Sequence, residues 1–476
     1  MKLKYLKLIT VVFFLFSLNV FAQYGSIGSV NARSMGLGKT YTAVSSGVQS
    51  IGLNPANLIS EDTLKFQIAT VFPVPAISAI TGSDVLSLDD FNYFFGGVKG
   101  ASRILDEADK QRLNDIFSSG GFLFADGSLQ LLNVGFIPDK RTGAFGFAIT
   151  DFTGAKIHVP QQLVDLVLNG NPVGKVFDFS SADIQAWWIR NYSFSYARKI
   201  DQVDFGFLKN FTAGISLKLV QGFAYASTGR TDLNFSTSSK NELQANTNFE
   251  AFTSFADNFG VKYDFDSLDH NSHFELFPGP AGTGFGLDLG FTFTLLDRAL
   301  ISAAITDIGS ISWSKNTARF SNNESLLLDD ITDKAKIDSL VDLITTNSEP
   351  AGEFTTGLAT AFRFGLAFLV SELDDGNLPG HLLLAADYNQ GFNNLPGNST
   401  SPRFSFGVEW GVFDFLPFVR TGFEYSEVQG FNWSFGLGFI TSLVDVDLAT
   451  NSVQTAFFPG SYSSLSLSLS SRWKFN

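Results

Sequence analysis

Residues 284–295, Gly-Phe-Gly-Leu-Asp-Leu-Gly-Phe-Thr-Phe-Thr-Leu, alternate small or polar side chains with large apolar ones. Successive side chains of a β-strand point to opposite faces, so this stretch has one hydrocarbon face and one face of Gly, Asp and Thr. The pattern predicts a strand that faces lipid on one side and a polar space on the other.

The same alternation recurs along the chain, for example in residues 403–412 and 431–440. Beyond the first residues, no apolar run approaches the roughly 18 residues of a membrane-spanning helix, although the chain contains 52 Phe. The alternation predicts about fourteen strands. They lie near residues 64–72, 129–137, 143–151, 185–199, 211–223, 284–295, 299–307, 355–369, 381–390, 403–412, 417–426, 431–440, 443–450 and 463–475.

The connections between these strands differ in length according to the side on which they lie. Every connection longer than about a dozen residues falls on one side, as in outer-membrane barrels, whose periplasmic turns are short. The longest are 73–128, 152–184, 224–283 and 308–354. Hydrocarbon does not tolerate the unpaired peptide groups of an open sheet edge, so the last strand has to pair with the first. We therefore predict an all-β fold, a transmembrane antiparallel β-barrel over residues 64–476.

The first 22 residues have the pattern of a signal peptide. Three lysines precede the apolar run 8–18, and Val20-Phe21-Ala22 supplies small residues at the two positions that determine cleavage. The run is too short to span a bilayer. We expect cleavage before Gln23 and a mature protein in the bacterial outer membrane, in contact with its lipid.

Composition argues against several kinds of chemistry. The chain has no Cys, and without the three signal lysines 29 basic residues face 46 acidic ones, a net charge of −17. Such a chain repels phosphate backbones, so we expect no nucleic-acid partner. The histidines show no zinc, EF-hand or hydrolase pattern, so we expect no cofactor, no metal and no catalytic site. They are His158, His270, His273 and His381.

Two stretches within the outer connections lack the strand alternation. Residues 102–118 and 324–346 space their apolar side chains as amphipathic helices do. We predict helices there, which either cap the mouth of the barrel or pack on its rim.

Residues 23–63 precede the first predicted strand and contain two motifs. Gly residues in Asn31–Gly38 permit backbone shapes that other residues resist, and Asn54-Pro55 favours a turn. The motif residues are Met35, Gly36, Gly38, Asn54, Pro55 and Ala56.

This Gly-rich opening, followed by Asn-Pro-Ala and a Phe-rich barrel, resembles the long-chain fatty acid transporter (FadL/TodX) superfamily, especially its PorV-like relatives. Residues 301–309 are similar to that group as well. The resemblance implies a barrel of fourteen strands with residues 23–63 folded into the lumen as a hatch. The alternative is an ordinary surface turn that leads into the first strand.

Charged residues occur on the inward faces of the predicted strands between 355 and 426. They are Arg363, Asp387, Glu409, Arg420 and Glu424. Facing lipid at mid-depth, each would cost about 2–4 kcal/mol, so they belong in the lumen. We expect a hydrogen-bonded network that holds the hatch through Arg33 or Lys39; the alternative is a solvated channel wall.

Two functional hypotheses follow. The first is a passive conduit for small, hydrophobic molecules, gated by the hatch. That the cargo is hydrophobic is implied by the resemblance and not by the composition. The second is a non-transporting subunit that docks a protein partner of a secretion or surface-assembly system, as PorV-like relatives do.

Overall fold

The computed structural model describes most of the chain from residue 31 onward. The described ranges are 31–59, 65–97, 103–139, 141–200, 206–238, 242–259, 275–296, 298–328, 348–370, 379–413, 415–426, 430–461 and 464–475. The predicted signal peptide therefore lies outside the described residues. No helix within these ranges is long and apolar enough to cross a membrane.

The strands of the main ring follow the chain order. They are β1 (Phe66–Thr70), β2 (Ala76–Ser83), β3 (Gly121–Asp139), β4 (Gly143–Val159), β6 (Asp183–Lys199), β7 (Leu208–Thr237), β9 (Gly282–Leu295), β10 (Ala299–Trp313), β13 (Phe354–Gly357), β14 (Ala361–Leu369), β15 (His381–Gly391), β16 (Arg403–Gly411), β17 (Phe418–Ser426), β18 (Gly430–Ile440), β19 (Val444–Thr450) and β20 (Ser464–Phe475). Outside the ring lie β5 (Val176–Asp178), β8 (Leu243–Phe255), β11 (Ala318–Leu328) and β12 (Ser348–Pro350).

The ring is a closed antiparallel barrel of 14 strands, in which β1 with β2, and β13 with β14, each act as one strand. Closure is made by β20, which pairs with β19 on one side and with β1 and β2 on the other. Ile68 lies opposite Trp473, and Ile77 opposite Leu469. The predicted barrel and the pairing of the first strand with the last are confirmed, and the predicted strands overlap the observed ones. The predicted connection 73–128 is wrong in part, because it contains β2 and the start of β3.

The outer face of the barrel is hydrocarbon and the inner face is polar. In β9, Phe285 is 75% exposed on the outside, whereas Asp288 is fully buried on the inside. Phe194, Leu217 and Phe439 continue the exposed apolar belt on other strands. This surface is that of a transmembrane β-barrel of the outer-membrane type.

Helices occur at the ends of the strands and inside the ring. They are α1 (Ala32–Gly36), α2 (Leu88–Phe95), α3 (Glu107–Ile116), α4 (Gln161–Asn169) and α5 (Val453–Phe457). Ser87 and Asp106 begin α2 and α3 with reciprocal side-chain caps. The predicted helix at 102–118 is confirmed over the residues of α3, which packs through Leu113 against Phe94 of α2.

The predicted helix at 324–346 is wrong for its first residues. Residues up to Leu328 extend β11, because their peptide groups pair with β8, where Ser325 lies opposite Asn246. The rest of that prediction lies outside the described residues. Together β5, β7, β8, β11 and β12 form a sheet, here called the outer sheet, that rises from the barrel on the side of the long connections.

Candidate functional site in the barrel lumen

Residues 31–59, here called the inner segment, lie inside the ring. Besides α1, the segment contains two 3-10 helices, Gly47–Ser50 and Pro55–Ile59. It makes hydrogen bonds to widely separated strands. The Asn54 side-chain amide donates to Thr292 of β9, while the Tyr41 N–H donates to Asp387 of β15 over 2.7 Å. The segment therefore crosses the lumen from wall to wall.

Glycines on the inner face of the wall make room for the inner segment. A Cβ on any of these glycines would come within 3.0 Å of an atom of the segment. This glycine belt consists of Gly135, Gly146, Gly214, Gly290, Gly365, Gly407, Gly422 and Gly436. Because only a residue without a side chain leaves this space, the wall is shaped to the segment.

The motif residues predicted in the segment lie against this belt. Met35 is buried beside Ala449, and Gly36 lies against Gly436. Gly38 has a φ of +66°, a conformation that favours glycine. The Asn54 side chain accepts a hydrogen bond from the Ala56 N–H, which fixes the turn at Pro55.

Ion pairs tie the first half of the segment to β16 and β17. Arg33 donates to both oxygens of Glu409, over 2.8 and 2.7 Å, and Arg420 donates to the same carboxylate over 2.5 Å. Arg420 also donates to Asp447. The arrangement is charge-assisted and bidentate, the strongest kind of side-chain contact.

A second group of charges lies beyond the end of α1. Lys39 Nζ lies 3.1 Å from Glu424, which also accepts from the Asn451 amide. The Asp387 carboxylate accepts from the N–H groups of Tyr41 and Thr42. The remaining predicted network residue, Arg363, is buried on β14 opposite Asn389.

Two cavities lie next to each other at the barrel wall and differ greatly in size. A luminal cavity of about 60 Å³ lies between Ile51 and Gly52 of the segment and an apolar wall that includes Trp187, Ile189 and Leu358. A much larger cavity of about 1080 Å³ opens beside β18 and β20. Its lining is mostly apolar, with Phe435, Leu465 and Leu467 among the residues.

The larger cavity lies at a gap in the hydrogen-bonded wall. Strand β19 ends at Thr450, so residues 430–434 of β18 and 464–467 of β20 pair with no residue of β19. We call this place the wall gap. It is covered by α5, whose side chains replace the missing strand bonds.

In the wall gap, Gln454 accepts from the Trp433 N–H over 2.8 Å and donates to Asn432, while the Thr455 hydroxyl donates to the Ser464 carbonyl. These side-chain hydrogen bonds are fewer than the backbone hydrogen bonds that a continuous pair of strands would make. At the wall gap, the barrel wall is therefore held by fewer hydrogen bonds than elsewhere, beside the cavity of about 1080 Å³.

Comparison with known proteins gives a family and a set of similar folds. A family model described as "Family of unknown function (DUF5723)" matches residues 63–450. The chain belongs to this family. Among curated protein sequences, none matches it.

Solved structures similar to this DUF5723 protein include FadL-like channels. A Pseudomonas aeruginosa FadL homologue is 11% identical, with a TM-score of 0.48 over 95% of this chain and 100% of that chain. The Pseudomonas putida toluene transporter TodX is 11% identical, with a TM-score of 0.45 over 96% and 100%. The Ralstonia pickettii toluene transporter TbuX is 12% identical, with a TM-score of 0.46 over 94% and 99%. The sequence resemblance to the FadL/TodX superfamily is therefore matched by a similarity of fold. The resemblance to PorV-like relatives stays a prediction.

Sequence reasoning missed two luminal ion-pair groups of this DUF5723 protein. Lys218 of β7 lies 2.7 Å from Asp288 and 2.6 Å from Asp307. Arg472 of β20 lies 2.8 Å from Asp445. Lys218, Asp288, Asp445 and Arg472 each occupy the polar phase of an alternating strand, where a charge in place of Gly, Ser or Thr is the signal that could have found them.

Side chains with catalytic or metal-binding potential are few. Within the described ranges, no group of three or more His, Asp or Glu residues could hold a metal ion. His381 has a neighbour that the sequence did not reveal, since its Nε2 lies 3.9 Å from Glu409. His158 lies against the Ser181 carbonyl, and His270 and His273 lie outside the described residues.

Proposed function

We propose that this protein is a passive conduit for small hydrophobic molecules across the outer membrane, with the inner segment as its movable plug. The observation that carries the proposal is the apolar cavity of about 1080 Å³ at the wall gap. It shares Asp126, Gly127 and Thr153 with the luminal cavity, so the two cavities adjoin there, and we place the route of the cargo at this junction.

The luminal cavity is narrow: its volume of about 60 Å³ has room for a few water molecules only. Passage therefore requires the inner segment, α5 or both to move. The apolar lining of the larger cavity is the reason to expect a hydrophobic cargo, because such a surface gains most by excluding water.

A reversible lock at the wall gap tests the proposal. The Ser452 and Ser466 hydroxyls lie 3.0 Å apart, close enough for a disulfide between the S452C and S466C side chains. The bridge would hold the start of α5 on β20. Because the chain has no Cys, the engineered pair has no competing thiol.

The readout is uptake of the hydrophobic fluorophore N-phenyl-1-naphthylamine by cells that produce the protein. We expect the oxidised S452C/S466C variant to lower uptake to the level of cells without the protein, and a reductant to restore it. The matched control is S195C/S216C, whose hydroxyls lie 2.6 Å apart between β6 and β7, where the wall is continuous. Equal uptake by the oxidised and reduced gap variants would refute passage through the wall gap, the observation on which the proposal rests.

Docking of a secretion or surface-assembly protein is the second candidate function. The outer sheet supports it, because its strands present a row of polar side chains beyond the membrane, including Asp232, Asn248 and Asn323. If docking is the function, deletion of β8 and β11 should remove a co-purifying protein partner and leave the uptake of the fluorophore unchanged.

A further inference from the structure

Asp126, on the inner face of β3, lies where the cavities meet. It lines the large cavity at the wall gap, the luminal cavity and a small cavity beside Met35 and Lys39. The residue is only 9% exposed. Any molecule that follows the proposed route passes its carboxylate.

The Asp126 carboxylate has room but no partner. Among the residues that the structure describes, none donates a hydrogen bond to it or forms an ion pair with it. Gly154 on the neighbouring strand leaves the space, since a Cβ there would lie 2.8 Å from an oxygen of Asp126. Other luminal carboxylates, such as Glu409 and Asp288, are paired with Arg or Lys.

The nearest basic side chains do not neutralise this carboxylate directly. Lys39 is paired with Glu424. Lys156 is buried with no hydrogen-bond partner for its Nζ, which lies 4.4 Å from the centre of the Phe122 ring. Lys156 lines none of the three cavities at which Asp126 lies.

We infer that Asp126 is the polar recognition site of the conduit, and that its preferred cargo carries a hydroxyl or amine on an otherwise apolar body. A buried acceptor without a donor is costly, and a donor on the passing molecule removes that cost. A carboxylate cargo would instead meet a like charge. This inference rests on the proposed function and specifies its cargo.

Four probes with one ring and different polar groups test the inference by calorimetry on the purified full-length protein. They are cyclohexylmethylamine, cyclohexylmethanol, cyclohexanecarboxylate and methylcyclohexane. We expect the amine and the alcohol to bind at least about tenfold more tightly than methylcyclohexane, as a hydrogen bond to a charged group allows. The carboxylate should bind most weakly.

Two substitutions then assign the preference to one side chain. Asp126→Asn should weaken amine binding about tenfold, and Asp126→Ala should weaken amine and alcohol binding alike. Both should leave methylcyclohexane binding unchanged, which also shows that the variants are folded. Asp183→Asn is the control, because Asp183 also lies near Lys156 but lines none of the cavities described.

The outcomes separate the two claims. Equal affinity of the wild-type protein for all four probes overturns the role of Asp126 and leaves the conduit untouched. An equal effect of Asp126→Asn and Asp183→Asn on amine affinity has the same meaning. If no probe binds, methylcyclohexane included, the proposed conduit fails together with its cargo preference.

Discussion

Glu409 is shared by two guanidinium groups inside the barrel, Arg33 of the inner segment and Arg420 of the adjacent strand. Its side chain is 1% exposed; Arg33 pairs with it, and Arg420 pairs with both Glu409 and Asp447. Glu409→Gln keeps the shape and removes the charge. We expect this substitution to lower the free energy of unfolding by about 3–5 kcal/mol, the usual cost of leaving a buried charge unpaired.

Guanidinium unfolding in detergent micelles measures this loss. The matched control is Glu250→Gln, since Glu250 pairs with Arg319 in the outer sheet, where the Arg319 side chain is 43% exposed. An exposed pair of this kind contributes at most about 1 kcal/mol. Similar losses for the two variants would show that water screens the Glu409 site, as a solvated channel wall requires.

At the scale of elements, the fit between the glycine belt and the inner segment makes a second prediction. A side chain at Gly422 would collide with Leu37 and Gly38, whose backbone lies against it. Gly422→Val should therefore displace the first half of the segment. Trypsin reports the displacement, because Arg33 and Lys39 are the basic residues of the segment and both are largely buried in the wild-type protein.

We expect trypsin to cleave Gly422→Val after Arg33 or Lys39 while the wild-type segment stays intact. Gly357→Val serves as the control, since a Cβ at Gly357 meets only Asn393, at 3.9 Å, and none of the segment. Cleavage of both variants at equal rates would mean that any added side chain loosens the barrel, and that the glycine belt is not specifically shaped to the inner segment.

The elements also show how far the sequence determines this structure. The strands were predictable because lipid on one side and a polar lumen on the other impose a period of two on each strand. The outer sheet was not predictable from the sequence. Residues 324–328 have helical spacing, and they become the end of β11 only because they pair with the distant strand β8. Asp126 was placed in a connection, since Phe122, Leu123 and Phe124 follow one another at the start of β3 without alternation.

The candidate site depends on contacts that a single sequence reveals only in part. An inward charge on a strand is visible in the polar phase of the alternation, and a charge facing lipid would be costly, so Glu409, Arg420 and Glu424 were assigned to the lumen. Which cation meets which carboxylate is not visible, because Arg33 and Glu409 are separated by 376 positions. The role of the glycine belt likewise appears only once the register of all strands is set.

At the scale of the whole molecule, the barrel and the inner segment are held by different interactions. The ring is closed by backbone hydrogen bonds between strands, from β1 and β2 round to β20. The segment contributes no strand to that ring. A barrel of this size has an interior too wide for its own side chains to fill, so the segment occupies space that water would otherwise fill.

Deletion of Met35 to Ala56 should therefore leave a folded barrel with an open, water-filled lumen. We expect single-channel steps in a planar bilayer from the deletion variant and none from the full-length protein. A heat-dependent shift in electrophoretic mobility checks that the shortened barrel is folded. A folded variant without conductance would show that other luminal elements, such as the apolar layer of Trp187, Ile189 and Leu358, close the barrel without help from the segment.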